Sequence, residues 1–571
     1  MSAVLSDLPR QSLPAVLDAR AAAQPDRLAF RFLADGTGES AVDWTYRDLA
    51  DRAASVAAEL IRRGTAGERV VLALEPGLDY IAALFGIFAA GAVAVPSFPP
   101  VGKRASARFR SIIDDCAPRL VIASMSTPDG TQRLSAAELY GGQSMTPGRL
   151  AEPALLQYTS GSTGEPKGVM VSHANLVANC LAMAANLGDA DPRRVSCSWL
   201  PPYHDMGLIG AILLPVFCGF PMVVLSPVHF VQQPYRWLKA ISDNAVTTSV
   251  APNFALDLCV DAVTDDELRT LDLRPLRHLF CGAEPLRQET LDRFERRFAP
   301  AGYSAQAMVP CFGMAEATLF VSGRDRRRPV TRLWLDKDAL ARGTVRIDEG
   351  ADAVPVVSCG VVAGEHEVVV VDPETRRPAA PGVVGELWIR GPSVAAGYFG
   401  RPELTAEAFA ATRADTPGDR YLRTGDLGFV HDGELYLTGR LKDLIIVAGR
   451  NHYPQDIEAT VHRAYPEARR VAAFPVSRGG GDELVIVVET RRPANWPELS
   501  DAIRAAVTGM HGISPADIHF GPSGTVAVTT SGKLQRATTR NSYLRGTIKD
   551  FRATRRNGSY AQEATSGVDR L

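Results

Sequence analysis

Ala154-Leu155-Leu156-Gln157-Tyr158-Thr159-Ser160-Gly161-Ser162-Thr163-Gly164-Glu165-Pro166-Lys167-Gly168-Val169-Met170-Val171-Ser172-His173 reads as a short buried strand, a turn, a second strand and the entry to a helix. The turn holds four hydroxyl side chains (Thr159, Ser160, Ser162, Thr163), the glycines Gly161, Gly164 and Gly168, and Lys167. Glycine lets backbone N–H groups approach an anion with no Cβ in the way, and the hydroxyls and ammonium add further donors. Ordered elements on both sides make this a turn built to hold a phosphate rather than a linker. A P-loop of the Walker type ends in Gly-Lys-Ser/Thr, whereas Lys167 lies between Pro166 and Gly168.

Upstream of the turn, helical and strand patterns alternate from about residue 45 to 150. Leu49, Ala53, Val56, Ala57, Leu60 and Ile61 keep a helical spacing, and Arg69–Leu74 is a buried strand. Ser106–Asp115 is predicted helical, with a strand at Leu120–Ala123. The apolar run Tyr80–Pro96, broken by Gly86, Gly91 and Pro96, reads as a buried helix, a turn and a strand rather than a membrane span. Beyond the turn the rhythm continues with a helix Leu176–Leu187, a strand near Val195–Trp199, an apolar helix Gly207–Phe217 and a strand Met222–Leu225. Helix Pro234–Asp243 and strand Thr247–Val250 follow. Such alternation predicts a layered α/β fold with parallel strands.

After about residue 356, short strands at Glu367–Val371, Gly385–Arg390, Phe429–Val430 and Glu434–Thr438 predict a small β subdomain. A segment with its own α+β pattern follows Gly439–Asp443. The expected organisation is a large N-terminal unit 1–438, a hinge 439–442, a small mobile C-terminal domain 443–551 and a polar, disordered tail 552–571.

At 571 residues, two to four domains are expected. A formal charge of −2 argues against coating a nucleic acid. Eight scattered cysteines with no Cys-x-x-Cys pair suggest reduced thiols in a cytoplasm. No secretory leader and no stable membrane insertion are expected. Only seven basic residues are lysine against 55 arginines, and three of them, Lys167, Lys442 and Lys533, fall in candidate motifs.

Four further motifs follow in order. They are Leu200-Pro201-Pro202-Tyr203-His204-Asp205-Met206-Gly207, Cys281-Gly282-Ala283-Glu284-Pro285, Phe312-Gly313-Met314-Ala315-Glu316 and Tyr421-Leu422-Arg423-Thr424-Gly425-Asp426. Arg440 and Lys442 come next, and Thr530-Ser531-Gly532-Lys533 lies near the end. With the phosphate turn, this series resembles the acyl-adenylate-forming superfamily of acyl-CoA synthetases, peptide-synthetase adenylation domains, luciferases and fatty acyl-AMP ligases, from about residue 15 to 545.

The resemblance implies a role for each motif. His204 would lie between nucleotide and acid. Gly282, Ala283 and Glu284 would frame adenine, and Phe312, with Gly313 and Met314, would stack on it. Glu316 would hold Mg²⁺ on ATP, one carboxylate plus substrate phosphates being a usual arrangement for this cation. Asp426 would accept both ribose hydroxyls, Arg440 would add a ribose contact, and Lys442 would mark a hinge about which the small domain swings. Lys533 would bridge the substrate carboxylate and the α-phosphate, where two anions meet. Ala315 stands where most of the superfamily has threonine, a departure typical of fatty acyl-AMP ligases.

Two segments resemble that subfamily specifically: an insertion at about 328–355 containing Thr331–Leu340, and Ile446–Pro454. The resemblance implies that the insertion hinders thioester formation with CoA. The apolar stretches Met206–Leu214 and Val250–Leu258 suit an acyl chain, with Met206, Gly207, Ile209, Asn253 and Phe254 as candidate pocket residues. The resemblance thus implies ATP and Mg²⁺, no tightly bound organic cofactor, a fatty acid, and a holo acyl carrier protein on a separate chain. A fatty acyl-CoA synthetase, an adenylating enzyme for an amino or aromatic acid (Asp205 could hold an α-amine), and a non-catalytic nucleotide-sensing or interaction protein on the same fold stay open as alternatives.

Overall fold

The computed structural model describes residues 12–124, 131–141, 149–159, 166–188, 191–350, 353–447, 450–478, 481–491, 495–529 and 532–551. The centre of the phosphate turn, 160–165, lies outside the described residues, as do Thr530, Ser531 and the expected tail 552–571. The turn's flanks are strands Leu155–Thr159 and Lys167–Val171, paired antiparallel from Leu155↔Val171 to Thr159↔Lys167.

These two strands close one edge of a six-stranded sheet that is otherwise parallel. Its central strand, Arg69–Ala73, alternates as a sheet buried on both faces must. Val70 and Leu72 face one apolar cluster, while Val71 and Ala73 face another against helix Lys103–Cys116. A second sheet of nine strands holds six parallel neighbours, from Leu28–Leu33 to Met308–Gly313, with antiparallel strands at its edges.

Helices Tyr46–Arg62, Leu78–Ala89 and His173–Leu187 share one core with residues of both sheets. Gly86 sets how closely two of them approach: a Cβ there would lie 2.5 Å from Val56 Cγ1. The segment expected as one apolar helix over Gly207–Phe217 is instead a π-helix, Met206–Leu213, that runs into helix Leu214–Cys218. Pro215 has no N–H to donate back along the chain, so regular α-helical bonding cannot pass through it.

Strands Glu367–Val371, Gly385–Arg390, Ala411–Thr412, Arg420–His431 and Glu434–Arg440 form a five-stranded antiparallel sheet. The strand expected only at Phe429–Val430 runs for twelve residues. It bends at Gly425 (φ +71°), where register with Gly385–Arg390 shifts. The insertion begins and ends in paired strands. Arg332–Leu335 pairs with Val354–Val357, and helix Lys337–Ala341 lies between them.

The last unit is a three-stranded sheet, Arg470–Arg478, Gly481–Glu489 and Asp517–Gly521. Helices Pro454–Ala464 and Trp496–His511 cover one face through Ile457, Val461, Ile503 and Val507. Tyr543, on helix Arg536–Leu544, packs on the other face. The eight cysteines are free. Among the described residues no helix is long and apolar enough to cross a membrane.

Candidate active site

A cavity of about 1200 Å³ opens where the two large sheets, the β subdomain and the C-terminal unit meet. Each sheet presents the C-terminal ends of parallel strands there, the usual site of binding loops in open α/β folds.

Strand His278–Gly282 ends in a constrained turn. A Cβ on Gly282 would stand 2.6 Å from the Cys311 carbonyl oxygen, and Ala283 takes a left-handed conformation (φ +74°). That geometry carries Ala283 and Glu284 into the cavity wall, whereas Gly282 serves close packing behind it. The Phe254 N–H donates to Glu284 Oε1 at 2.7 Å, and burial pushes the Glu284 carboxyl up.

The neighbouring strand, Met308–Gly313, delivers Phe312, Gly313, Met314, Ala315 and Glu316 to the same wall. The Met314 N–H donates to the Leu319 carbonyl (2.8 Å), and a Cβ on Gly313 would overlap that same oxygen. The buried Asn179 amide clamps this loop, donating to the Ala317 and Phe320 carbonyls and accepting from the Phe320 N–H. Ala315 packs into the apolar core.

Tyr398, which the motif reading passed over, ties two elements of the site together. Its hydroxyl donates to Glu316 Oε1 at 2.9 Å, and its ring lies 5.1 Å from Lys167 Nζ. Segment 396–399 adds to the strand Lys167–Val171 through Met170 N–H to Gly397 O (2.9 Å) and Phe399 N–H to Gly168 O (2.8 Å). The signal for Tyr398 was a Gly-Tyr pair beyond the strand Gly385–Arg390. Gly397 sits at φ +138°, where a Cβ would meet Thr405. Burial raises the Glu316 carboxyl, and Tyr398 and Arg440 oppose the rise.

Asp426 is buried and accepts from Arg440 Nε at 2.9 Å. That pair, more than any other influence, raises the Arg440 pKa. Glu386, also missed from sequence, shapes the loop by accepting from Arg423 and from the Gly425 N–H. Lys442, in the short helical turn Leu441–Asp443, lines the cavity.

Lys533 arrives from the far end of the chain. It sits in a tight turn closed by Thr529 N–H to Lys533 O (2.8 Å) and Lys533 N–H to Thr529 Oγ1 (3.0 Å). Gly532 (φ +86°) approaches the Phe254 ring, so this turn rests on a residue of the cavity wall. Burial pulls the Lys533 ammonium below its usual pKa; Asp205, Glu284 and Asp426 oppose that pull and Arg440 adds to it. His204 Nδ1 lies 2.6 Å from Asp205 Oδ1. Burial would raise the Asp205 carboxyl, but His204 and Lys533 outweigh it and hold it at about 2.

Of the expected acyl-pocket residues, Met206 and Phe254 line the cavity and Gly207, Ile209 and Asn253 do not. In the observed helical phase Gly210, Ala211 and Leu214 face the cavity, and Ile209 is fully buried in the core. Gly207 is pressed against the Pro201 carbonyl, and Asn253 accepts from the Arg287 N–H (3.3 Å) while its amide approaches Thr290.

For Mg²⁺, the donor set suits a hard cation held by one protein carboxylate. Glu316 has one oxygen occupied by Tyr398, and among the described residues no cluster of three or more His, Cys, Asp or Glu exists that would hold a metal alone.

A family model described as "AMP-binding enzyme" matches residues 17–399, and a second, "Disco-interacting protein 2-like, AMP domain", matches 442–552. The medium-chain-fatty-acid–[acyl-carrier-protein] ligase JamA of Moorena producens is 37% identical, covering 94% of this chain and 96% of that one. The putative fatty-acid–CoA ligase fadD25 of Mycobacterium tuberculosis is 36% identical, covering 92% and 96%. A crystal structure of the fatty acyl-adenylate ligase from L. pneumophila, in complex with acyl adenylate and pyrophosphate, superposes with a TM-score of 0.74. It is 35% identical, with 95% of this chain and 98% of that one covered.

Proposed function

The chain belongs to the AMP-binding enzyme family, and on that premise we propose that it joins a fatty acid to AMP and then hands the acyl group to an acyl carrier protein. The observation that carries this reading is the convergence of Lys533, Glu316, Asp426 and an apolar channel on one cavity.

In the first step a carboxylate oxygen of the acid attacks the α-phosphorus of ATP. The bond from that phosphorus to the bridging oxygen breaks, and pyrophosphate leaves. Two anions approach each other, so the chain must supply positive charge where negative charge collects. Lys533 does so at the carboxylate and α-phosphate, and Lys167 at the leaving phosphates. Asp426 and Arg440 hold the ribose, and Phe312 packs on the base. Glu316 would hold Mg²⁺, which when bound supplies further neutralisation of the phosphates. No protein nucleophile is required.

In the second step a thiol sulfur attacks the acyl carbonyl, the carbon–oxygen bond to phosphate breaks, and AMP departs. The insertion supports a carrier-bound thiol over free CoA. Leu335 and Leu340 bury against Phe429 and Tyr436 of the β subdomain and Tyr453 of the C-terminal unit, and Asp338 pairs with Arg450. These contacts tether the C-terminal unit in the orientation that brings Lys533 to the site and oppose its swing. A carrier protein, also proposed from the relative named as an acyl-carrier-protein ligase, would bring its own binding surface to offset that restraint. The relative named as a CoA ligase keeps CoA as the second reading.

The test is pyrophosphate exchange with a panel of acids. Exchange with fatty acids of medium length is expected; exchange confined to amino acids would remove the reading.

A further inference from the structure

The channel runs from the Lys533 region down the face of the nine-stranded sheet that is turned toward the inter-sheet helices. On that face Phe280 lies two residues below Gly282, with Leu319 and Phe320 beside it and Ala211, Leu214 and Met183 on the helical side. All of these are apolar. One step further down, the parallel register aligns Met222, Ser196, Thr248 and His278 in a single row across four strands. Met222, Ser196 and Thr248 line the cavity, and His278 stands directly behind Thr248.

Three residues of this row, Ser196, Thr248 and His278, are polar where the channel above is apolar, and their polar atoms lack good partners. Ser196 makes no side-chain hydrogen bond among the described residues. The Thr248 hydroxyl has only a long 3.5 Å contact to His278 Nδ1, and His278 Nε2 is buried with no partner. His278 is 2% exposed. Burial, with the nearby charges of Arg326 and Arg194, depresses it to about 3, so the ring is neutral and offers one donor and one acceptor. A floor meant for a terminal methyl has no reason to hold two hydroxyls without good partners, backed by a buried imidazole.

Resting on the fatty-acid reading above, we propose that the channel selects a medium-chain acid carrying a hydroxyl at its far end, recognised by Thr248 and Ser196 with His278 behind them. The length follows from the sheet. Four residue steps from Gly282 to His278 span about 13 Å, which an extended chain of about ten carbons fills.

The experiment compares decanoic acid with 10-hydroxydecanoic acid by pyrophosphate exchange, for the wild type and for Thr248→Val, Thr248→Ser and Ser196→Ala. The wild type is expected to favour the hydroxy acid by about tenfold or more in kcat/KM, the discrimination one well-placed hydrogen bond supplies. Thr248→Val and Ser196→Ala should each shrink that ratio, Thr248→Ser should keep it, and the change should fall mainly in KM. The ratio is internal to each variant, so partial loss of folded protein does not alter it. A wild-type ratio of one or below overturns the proposal, as does a ratio that neither Thr248→Val nor Ser196→Ala changes. Exchange with neither acid would instead bring down the fatty-acid reading, and this inference with it.

Discussion

Replacing Lys533 with alanine is expected to slow acyl-adenylate formation by about a thousandfold. The magnitude follows from the site. Lys533 is half-buried among three carboxylates, Asp205, Glu284 and Asp426, with Arg440 as the other neighbouring cation. When a carboxylate and the α-phosphate meet, charge gathers within about 4 Å of the ammonium, and at an effective dielectric constant of about 20 such a pair is worth about 4 kcal/mol. Lost wholly from the transition state, that is about three orders of magnitude in rate. The assay is single-turnover formation of acyl-AMP at saturating ATP and acid, read by mass spectrometry, with thermal melting as a check on folding. Lys533→Arg should recover little, because a planar fork cannot replace a point charge in this tight turn. Since burial lowers the Lys533 pKa, wild-type adenylation should fall with rising pH earlier than an exposed lysine would allow, and Lys533→Ala should lose that limb. An adenylation rate within a few-fold of wild type in a folded Lys533→Ala protein refutes the assignment of charge neutralisation to this residue.

Asp426→Asn should raise KM for ATP by about ten- to a hundredfold, the cost of weakening charge-assisted hydrogen bonds to the ribose, with a smaller effect on kcat; initial-rate kinetics at varied ATP check this. Leu335→Ala empties a fully buried site at the root of the insertion and should loosen its anchoring by about 2–5 kcal/mol. Acyl-CoA formation should rise relative to wild type, and an unchanged acyl-CoA rate with a lowered melting temperature would mean that the insertion only stabilises. His519 lies between Asp517 (2.8 Å) and Asp550 (3.0 Å). Burial would lower its pKa, but the two carboxylates raise it to about 9. A raised folded-state pKa gives stability that is complete below pH 6.5 and lost as pH climbs to about 9. The melting temperature should therefore fall across that window in wild type and less steeply in His519→Gln.

Much of the scaffold was legible because burial on two faces forces visible patterns: the alternation of Val70, Val71, Leu72 and Ala73 between two cores, and the helical spacing of Leu49, Ala53 and Val56. Short motifs marked Glu316, Asp426 and Lys533, which the fold brings to one cavity although 217 positions separate the first from the last, because residues in tight turns carry local signatures. What depends on three-dimensional phase was not legible. The π-helix at Met206–Leu213 turns Gly210 and Ala211, rather than Ile209, toward the cavity. Asn253 resembled a pocket residue by position, yet its side chain is taken up by Arg287 and Thr290. Tyr398 and Glu386 act on site residues far away in sequence, and the polar row at Ser196, Thr248 and His278 exists only once three separate strands are set in register. The strand Asp517–Gly521 was missed because Asp517, His519 and Gly521 gave it no strand-like composition.

The most direct measurement offers the enzyme a mixture of fatty acids, ATP, CoA and a holo acyl carrier protein, and identifies products by mass spectrometry over time. Acyl-AMP followed by acyl-carrier protein is expected, with acyl-CoA negligible on the same timescale. Rapid acyl-CoA formation with no acyl-carrier product would contradict it.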